Sequence, residues 1–351
     1  MSHSLSIRRL LAVATAALCL SVASTGAFAQ AAPVKIKFAL DWRFEGPSSL
    51  FLLPLAKGYF AQEGLDVTID AGAGSGTTVN RLASGAYDMG FADLGTMIEF
   101  IANNQNTSSR KLQAVYVVYE QAPLTVFSLK KSNISKPVDL EGKNMGAPVF
   151  DPGRKLFSLF TKANNLDAGK LTWKTMDPAL RETMLIKGEV DAITGYYFTS
   201  LMNLNARGIK DDEIASMQFV DYGVKMYGNA IIASQALIDA NPKAVAGFLR
   251  AFTRGAKEVI ADPDAAIKFV KDREPLIDVE VEKRRLRLAL QVSIATPTAK
   301  ANGIGGAEKA NIDRMVREIV SAFGLKQSPN PDLMFNAGFM PPKPERMIFT
   351  K

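Results

Sequence analysis

The chain has 351 residues, 42 Lys and Arg against 35 Asp and Glu, and a formal net charge of +7. Its one histidine and one cysteine are His3 and Cys19. Everything after them lacks the general base suited to neutral pH and the soft ligands that zinc and thiolate chemistry need, so the composition argues for binding rather than bond-making.

The N-terminus predicts a cleaved export signal. Arg8 and Arg9 precede an apolar run from Leu10 to Val22, and Ala27-Phe28-Ala29 offers a small-x-small cleavage site before Gln30. That run is shorter than the ~20 residues of a membrane span. Cleavage after Ala29 would leave a periplasmic chain of roughly 320 residues with net charge +5. No disulfide can form in it, so its stability must come from a large core, which its length permits.

Val34 to Leu40 alternates as a first strand, and a helical stretch follows over 48–59, with Pro54 expected to kink or restart it. Asp66 to Asp70 reads as the second strand. The glycine-rich loop 71–76 opens a helix at Thr77, Met89 to Phe91 is the third strand, and a helix starts near Gly95. A second α/β set begins near Leu124. Its strands are read at Asn144 to Val149, Leu171 to Met176, Ala192 to Thr194 and Gln218 to Asp221, with helices over 154–164 and 179–187. A strand at Asn229 to Ala233 follows, then mostly helix, with Asn241-Pro242 and Asp262-Pro263 as helix entries. The basic cluster Lys283-Arg284-Arg285 with Arg287 reads as a solvated helix face. No aromatic residues interleave it, so a nucleic-acid partner is not expected. One echo stands out: Leu82-x-x-Gly85-x-x-Asp88 recurs as Leu185-x-x-Gly188-x-x-Asp191, which favours two halves built on one plan.

The segments LDWRFEGPSS, AKGYFAQEGLDVTID and AGAGSGTTVNRLASGAYDMGFAD, with DPALRETMLIKGEVDAITGY and MYGNAIIAS further on, resemble the solute-binding proteins of ABC importers. The group resembled takes thiamine-pyrimidine precursors, nitrate, taurine and alkanesulfonates. The resemblance implies an α/β, type II periplasmic-binding-protein fold, in which two lobes with mixed sheets close like a clamp about a two-segment hinge. Lobe 1 would hold 33–120 and 223–345, and lobe 2 would hold 121–222. It also implies a monomer that delivers a small solute to an ABC permease and its ATPase, with no cofactor, metal or catalytic residue. Two alternatives stay open. One is a sensing lobe for a membrane receptor. The other is an enzyme like the fungal pyrimidine synthases, which consume one of their own histidines.

Ligands of open α/β sheets sit beyond the carboxyl ends of the strands. That rule selects Asp41, Trp42, Arg43, Phe44 and Glu45 after the first strand, Gly74, Ser75, Gly76 and Thr77 after the second, and Asp93 after the third. From the second set it selects Phe150, Asp151, Arg154, Tyr196 and Tyr197, with Tyr119 and Tyr222 at the hinge. Trp42 offers a stacking face. The helix start at Gly74 to Thr77 offers free N–H groups to an anion, and Arg154 offers a fork for a carboxylate or sulfonate. One of Tyr196 and Tyr197 is expected to face the ligand and the other to point elsewhere. In the resembling pyrimidine binders, Asn and His follow the Trp; here Phe44, Glu45 and Gly46 follow. The ligand class expected is therefore a small anionic or heteroaromatic compound.

Overall fold

The computed structural model describes residues 32–104 and 111–348; the export signal and its cleavage point lie outside the described residues. In chain order the strands are β1 (Val34–Ala39), β2 (Leu65–Asp70), β3 (Met89–Asp93), β4 (Leu112–Val117), β5 (Leu124–Leu129), β6 (Asn144–Ala147), β7 (Thr172–Thr175), β8 (Ala192–Tyr196), β9 (Ile214–Gln218) and β10 (Asn229–Ser234). They form two five-stranded mixed sheets of orders β2-β1-β3-β10-β4 and β7-β6-β8-β5-β9. In the first sheet β1 runs parallel to β2 and β3, and β10 runs antiparallel to β3 and β4. The second sheet repeats this: β6 runs parallel to β7 and β8, and β5 runs antiparallel to β8 and β9. Helices flank both sheets, which is the two-sheet architecture of periplasmic binding proteins.

The internal echo has a structural cause. Gly85 and Gly188 both take left-handed φ, +81° and +73°, and end the preceding helices. Asp88 then accepts the N–H of Lys37 at 2.9 Å, and Asp191 accepts that of Asn144 at 2.8 Å. In each sheet the aspartate ties the chain entering one strand, β3 or β8, to that strand's parallel neighbour, β1 or β6.

The first sheet carries an aromatic core. Phe248, on the helix Pro242–Ala261, stacks on Phe38 of β1 at 5.1 Å and on Phe60 at 4.7 Å. Pro54 lies inside the helix Ser49–Ala56, which stops two residues later; a second short helix starts at Tyr59. Its ring packs on Gly255, where a Cβ would come within 2.7 Å.

Two readings of the sequence change. β9 covers Ile214–Gln218, so it ends where a strand was expected to begin, and Phe219–Tyr222 is a 3-10 turn. The turn buries Phe219 against Phe160 at 4.7 Å. β4 was not marked in the sequence because all six of its residues are buried, leaving no alternation to read. Two segments cross between the sheets, one after β4 and one before β10. They bond to each other through Gly228 N–H to Tyr119 O at 2.8 Å and Ala122 N–H to Met226 O at 2.9 Å.

Candidate functional site

A cavity lies where the carboxyl ends of β1 and β3 meet the ends of β6 and β8. Its apolar lining includes Phe51, Phe91 and Phe198, and its polar lining is Asp41, Arg43, Glu45, Ser48, Tyr119, Asp151, Arg181, Tyr196 and Thr199. Of the residues selected from sequence, Asp41, Trp42, Arg43, Glu45, Gly74, Tyr119, Asp151 and Tyr196 line it.

Asp41 lies two residues beyond β1 and is buried. Its Oδ2 accepts from Asn229 Nδ2 at 2.7 Å, and Asn229 Oδ1 accepts from the Tyr196 hydroxyl. This relay joins β1, β10 and β8 across the two sheets. Burial pushes the Asp41 carboxyl up to about 7, with Glu45 and Asp93 adding to the rise. Loss of water raises an acid in this way because the charged form suffers most. The Glu45 and Asp151 carboxyls are also raised by burial, against the pull of Arg285 on Glu45 and of Arg181 on Asp151.

Arg181 was not selected from sequence, yet it is the largest fully buried side chain. Its Nη1 donates to Asp151 Oδ2 at 3.1 Å, and its Nε donates to Glu182 Oε1 at 3.0 Å. Thr194 Oγ1 holds the other Asp151 oxygen at 2.9 Å. Burial works to lower the Arg181 pKa, but Glu182 and Asp151 outweigh it and the net shift is upward. Gly195 makes room for this: a Cβ there would come within 3.0 Å of the Arg181 Cζ and 2.3 Å of Ser200 Oγ. The signal in the sequence was its spacing. Arg181 lies four residues before the buried Leu185, on one helix face. Its guanidinium stands 5.1 Å from the Trp42 ring centroid, and Trp42 Nε1 is buried with no partner.

The remaining selected residues do not line the cavity. Arg154 turns outward, donating to Ala147 O and Thr175 Oγ1, both at 3.0 Å, with its guanidinium over Trp173. Phe44 lies under the Arg273 guanidinium, Tyr197 stacks on Phe127 at 6.2 Å, and Tyr222 packs on Phe160. Tyr196 and Tyr197 thus point to different places, as neighbours at a strand end should. Phe150 is 40 % exposed. Its carbonyl accepts the Gly76 N–H at 3.2 Å, and the Thr77 N–H is spent on Gly74 O at 2.9 Å. These donors, which an anion would need, are already engaged. Ser75 and Asp93 are buried behind the lining. Ser75 Oγ accepts the Asp93 N–H, and Asp93 caps the helix Leu94–Asn103 by accepting from Thr96 N–H at 2.7 Å. Burial raises the Asp93 carboxyl to about 6.

Because Arg154 points away, Arg154→Ala is expected to leave solute affinity within about twofold, as for surface substitutions in general. Calorimetric titration checks this; a tenfold loss would return Arg154 to the site.

The chain is 24% identical to the formylaminopyrimidine-binding protein of Halalkalibacterium halodurans over 73% of this chain and 77% of that one. It is 26% identical to the 4-amino-5-hydroxymethyl-2-methylpyrimidine phosphate synthase of Aspergillus parasiticus, over 71% and 74% respectively. Its fold matches the alkanesulfonate-binding protein SsuA of Xanthomonas axonopodis pv. citri with a TM-score of 0.67 at 15% identity, covering 87% of this chain and 97% of that one. The family model described as NMT1/THI5 like matches residues 49–266, more than half of the chain. On that match, the chain belongs to the NMT1/THI5 like family.

Proposed function

We propose that this chain is an exported, monomeric solute-binding protein. It closes its two lobes, 33–120 with 223–345 and 121–222, on a small heteroaromatic solute rich in N–H donors, and delivers it to an ABC permease with its ATPase. The observation that carries the ligand class is the charge of the cavity. Asp41, Glu45 and Asp151 line it, against Arg43 at its exposed rim and Arg181, whose buried guanidinium is paired with Asp151 and Glu182. An anionic solute would lose its water beside three carboxyls, and the buried cation it would meet is already shared between two of the protein's own acids, which leaves Arg43 at the rim. Ring N–H and amino groups instead meet acceptors, and the Trp42 ring offers a face and an unpartnered N–H. This moves the reading from the anionic solute towards the heteroaromatic one. The formylaminopyrimidine-binding relative is consistent with that choice. With no histidine or cysteine beyond Cys19, the site lacks the usual neutral-pH general base and the thiol nucleophile, which supports binding over catalysis.

The test is a thermal-shift panel on protein stripped of bound solute, with aminopyrimidines, flavins, sulfonates, nitrate and aromatic carboxylates. A binder at ~100 times its Kd adds about 2.7 kcal/mol, a shift of several degrees. Aminopyrimidines or flavins are expected to respond and sulfonates and nitrate to be silent. A response confined to the anions overturns the ligand class, and silence throughout overturns the solute-binding reading for these compounds. Trp42→Ala is expected to weaken the responding compound tenfold or more, about 1.4 kcal/mol, with the unliganded melting midpoint held. Unchanged affinity would remove Trp42 from the site.

A further inference from the structure

Arg285 sits in the basic run that reads as a solvated helix face, and two neighbours fit that reading. Lys283 pairs with Glu280 at 2.7 Å, and Arg287 with Asp264, both at the surface. Arg285 does not: its side chain is 3% exposed. From the helix Val279–Ala289 its Nη1 reaches the helix Tyr197–Asn205 and donates to Thr199 O at 2.8 Å, with Phe198 O at 3.4 Å. Nη2 donates to Asn203 Oδ1 at 3.0 Å. On its own side Nε and Nη2 hold Glu282 at 2.9 and 3.0 Å, and Nη1 stands 3.4 Å from Glu45 Oε2. Glu282 Oε2 in turn accepts the Gly46 N–H at 2.5 Å, which fixes the loop that carries Glu45.

Three of these partners, Phe198, Thr199 and Glu45, line the cavity. Phe198 and Thr199 follow β8 of the second sheet, whereas Glu45 follows β1 of the first. We infer that Arg285 is a positioning residue that clasps the two halves together over the cavity and sets the Glu45 carboxylate within it.

The chemistry suits a releasable clasp. A guanidinium has five N–H donors in a rigid fork, so one side chain can serve acceptors on both halves at once. If the halves part, Arg285 keeps Glu282 as its counter-charge, and water replaces Thr199 O, Phe198 O and Asn203. No buried charge is stranded in either state, so opening stays accessible. Lysine would not substitute, because its ammonium is a compact point charge that cannot span both sets of acceptors.

The inference shares with the proposed function only the premise that the halves move, and its test needs no solute. Amide hydrogen exchange is followed on the ligand-free protein. The reporter is Gly76, whose N–H donates to Phe150 O and so joins a helix start beside the first sheet to the loop after β6 of the second. Arg285→Lys is expected to speed exchange at residues 74–77 more than tenfold while β1 and β10 exchange as before. Asn203→Ala removes one acceptor on the far side and leaves Glu45 and Glu282 untouched; a smaller rise in the same segment is expected. Unchanged exchange at 74–77 in both folded variants overturns the clasp. So does a rise spread evenly over β1, β10 and 74–77, which would mark Arg285 as a stability residue only. A silent solute panel beside a positive exchange result would overturn the ligand reading and leave the clasp standing.

Discussion

Arg181→Met is expected to lower stability at pH 7 by about 4 kcal/mol, the usual loss when one partner of a buried ion pair is removed. For a chain of this size that is a fall of roughly 8 °C in melting midpoint. Methionine fills similar space but leaves Asp151 and Glu182, both buried, without their shared cation. The pH dependence identifies the cause. Burial tends to raise the Glu182 carboxyl, but Arg181 and Ser200 overcome it and hold the pKa below its ordinary value. Glu182 therefore adds stability that is present above the ordinary carboxyl range and is lost as pH falls through the depressed native value. The variant has lost that contribution, so the gap between the two proteins should be widest at neutral pH and narrow as pH falls below the ordinary glutamate value of 4.5. Chemical denaturation of both proteins at pH 4 and pH 7 measures it. An equal midpoint at pH 7 would mean that the two carboxyls find another partner.

Wild-type protein without solute is expected to be more stable at pH 5 than at pH 8. Asp41 is raised by burial to about 7 and Asp93 to about 6, from an ordinary value of 3.8. A raised acid contributes stability that is complete below its unfolded value and disappears as pH climbs through the folded one. The window for Asp41 is thus from about pH 4 to pH 7, with a slope of roughly 1.4 kcal/mol per pH unit inside it. Asp93 adds to the slope up to about pH 6. Asp41→Asn keeps an oxygen for Asn229 Nδ2 and carries no charge. It should flatten the Asp41 part of the profile and make the variant more stable than wild type at pH 8. Denaturation curves at half-unit intervals would show it. A wild-type profile that is flat or rises with pH would mean that water reaches Asp41 more freely than its burial implies.

These two residues show how unevenly the site was written into the chain. Asp41 was legible as a position: β1 alternates, its end is clear, and the loop beyond a parallel strand is where ligands collect. Its raised pKa was not legible, because burial depends on Tyr196 and Asn229 arriving from other strands. Arg181 and Arg154 make the contrast sharper. Arg154 follows Asp151-Pro-Gly at a helix start, a strong local signal, and Asp151 does bond there, but to the backbone N–H of Arg154 at 3.0 Å. The Arg154 side chain then runs over β6 and β7. Arg181 had only a helical spacing to mark it, yet it fills the space beneath Trp42. Arg285 was hidden by its neighbours, since a run of cations reads as solvated until one helix face turns inward with Glu282, Leu286 and Ala289.

The sequence by itself determined the local periodicities, the turn and cap residues, and the repeated Gly-x-x-Asp that ends a helix and opens a strand in each half. Those features act between residues close in the chain or along one strand, where φ/ψ preference and alternation are enough. Only the tertiary structure decided which charges share a cavity. Asp41 and Asn229 are 188 positions apart, Arg285 and Thr199 are 86 apart, and Gly46 and Glu282 are 236 apart. The energy of a buried charge depends on what surrounds it in space, and no pattern of neighbours along the chain records that.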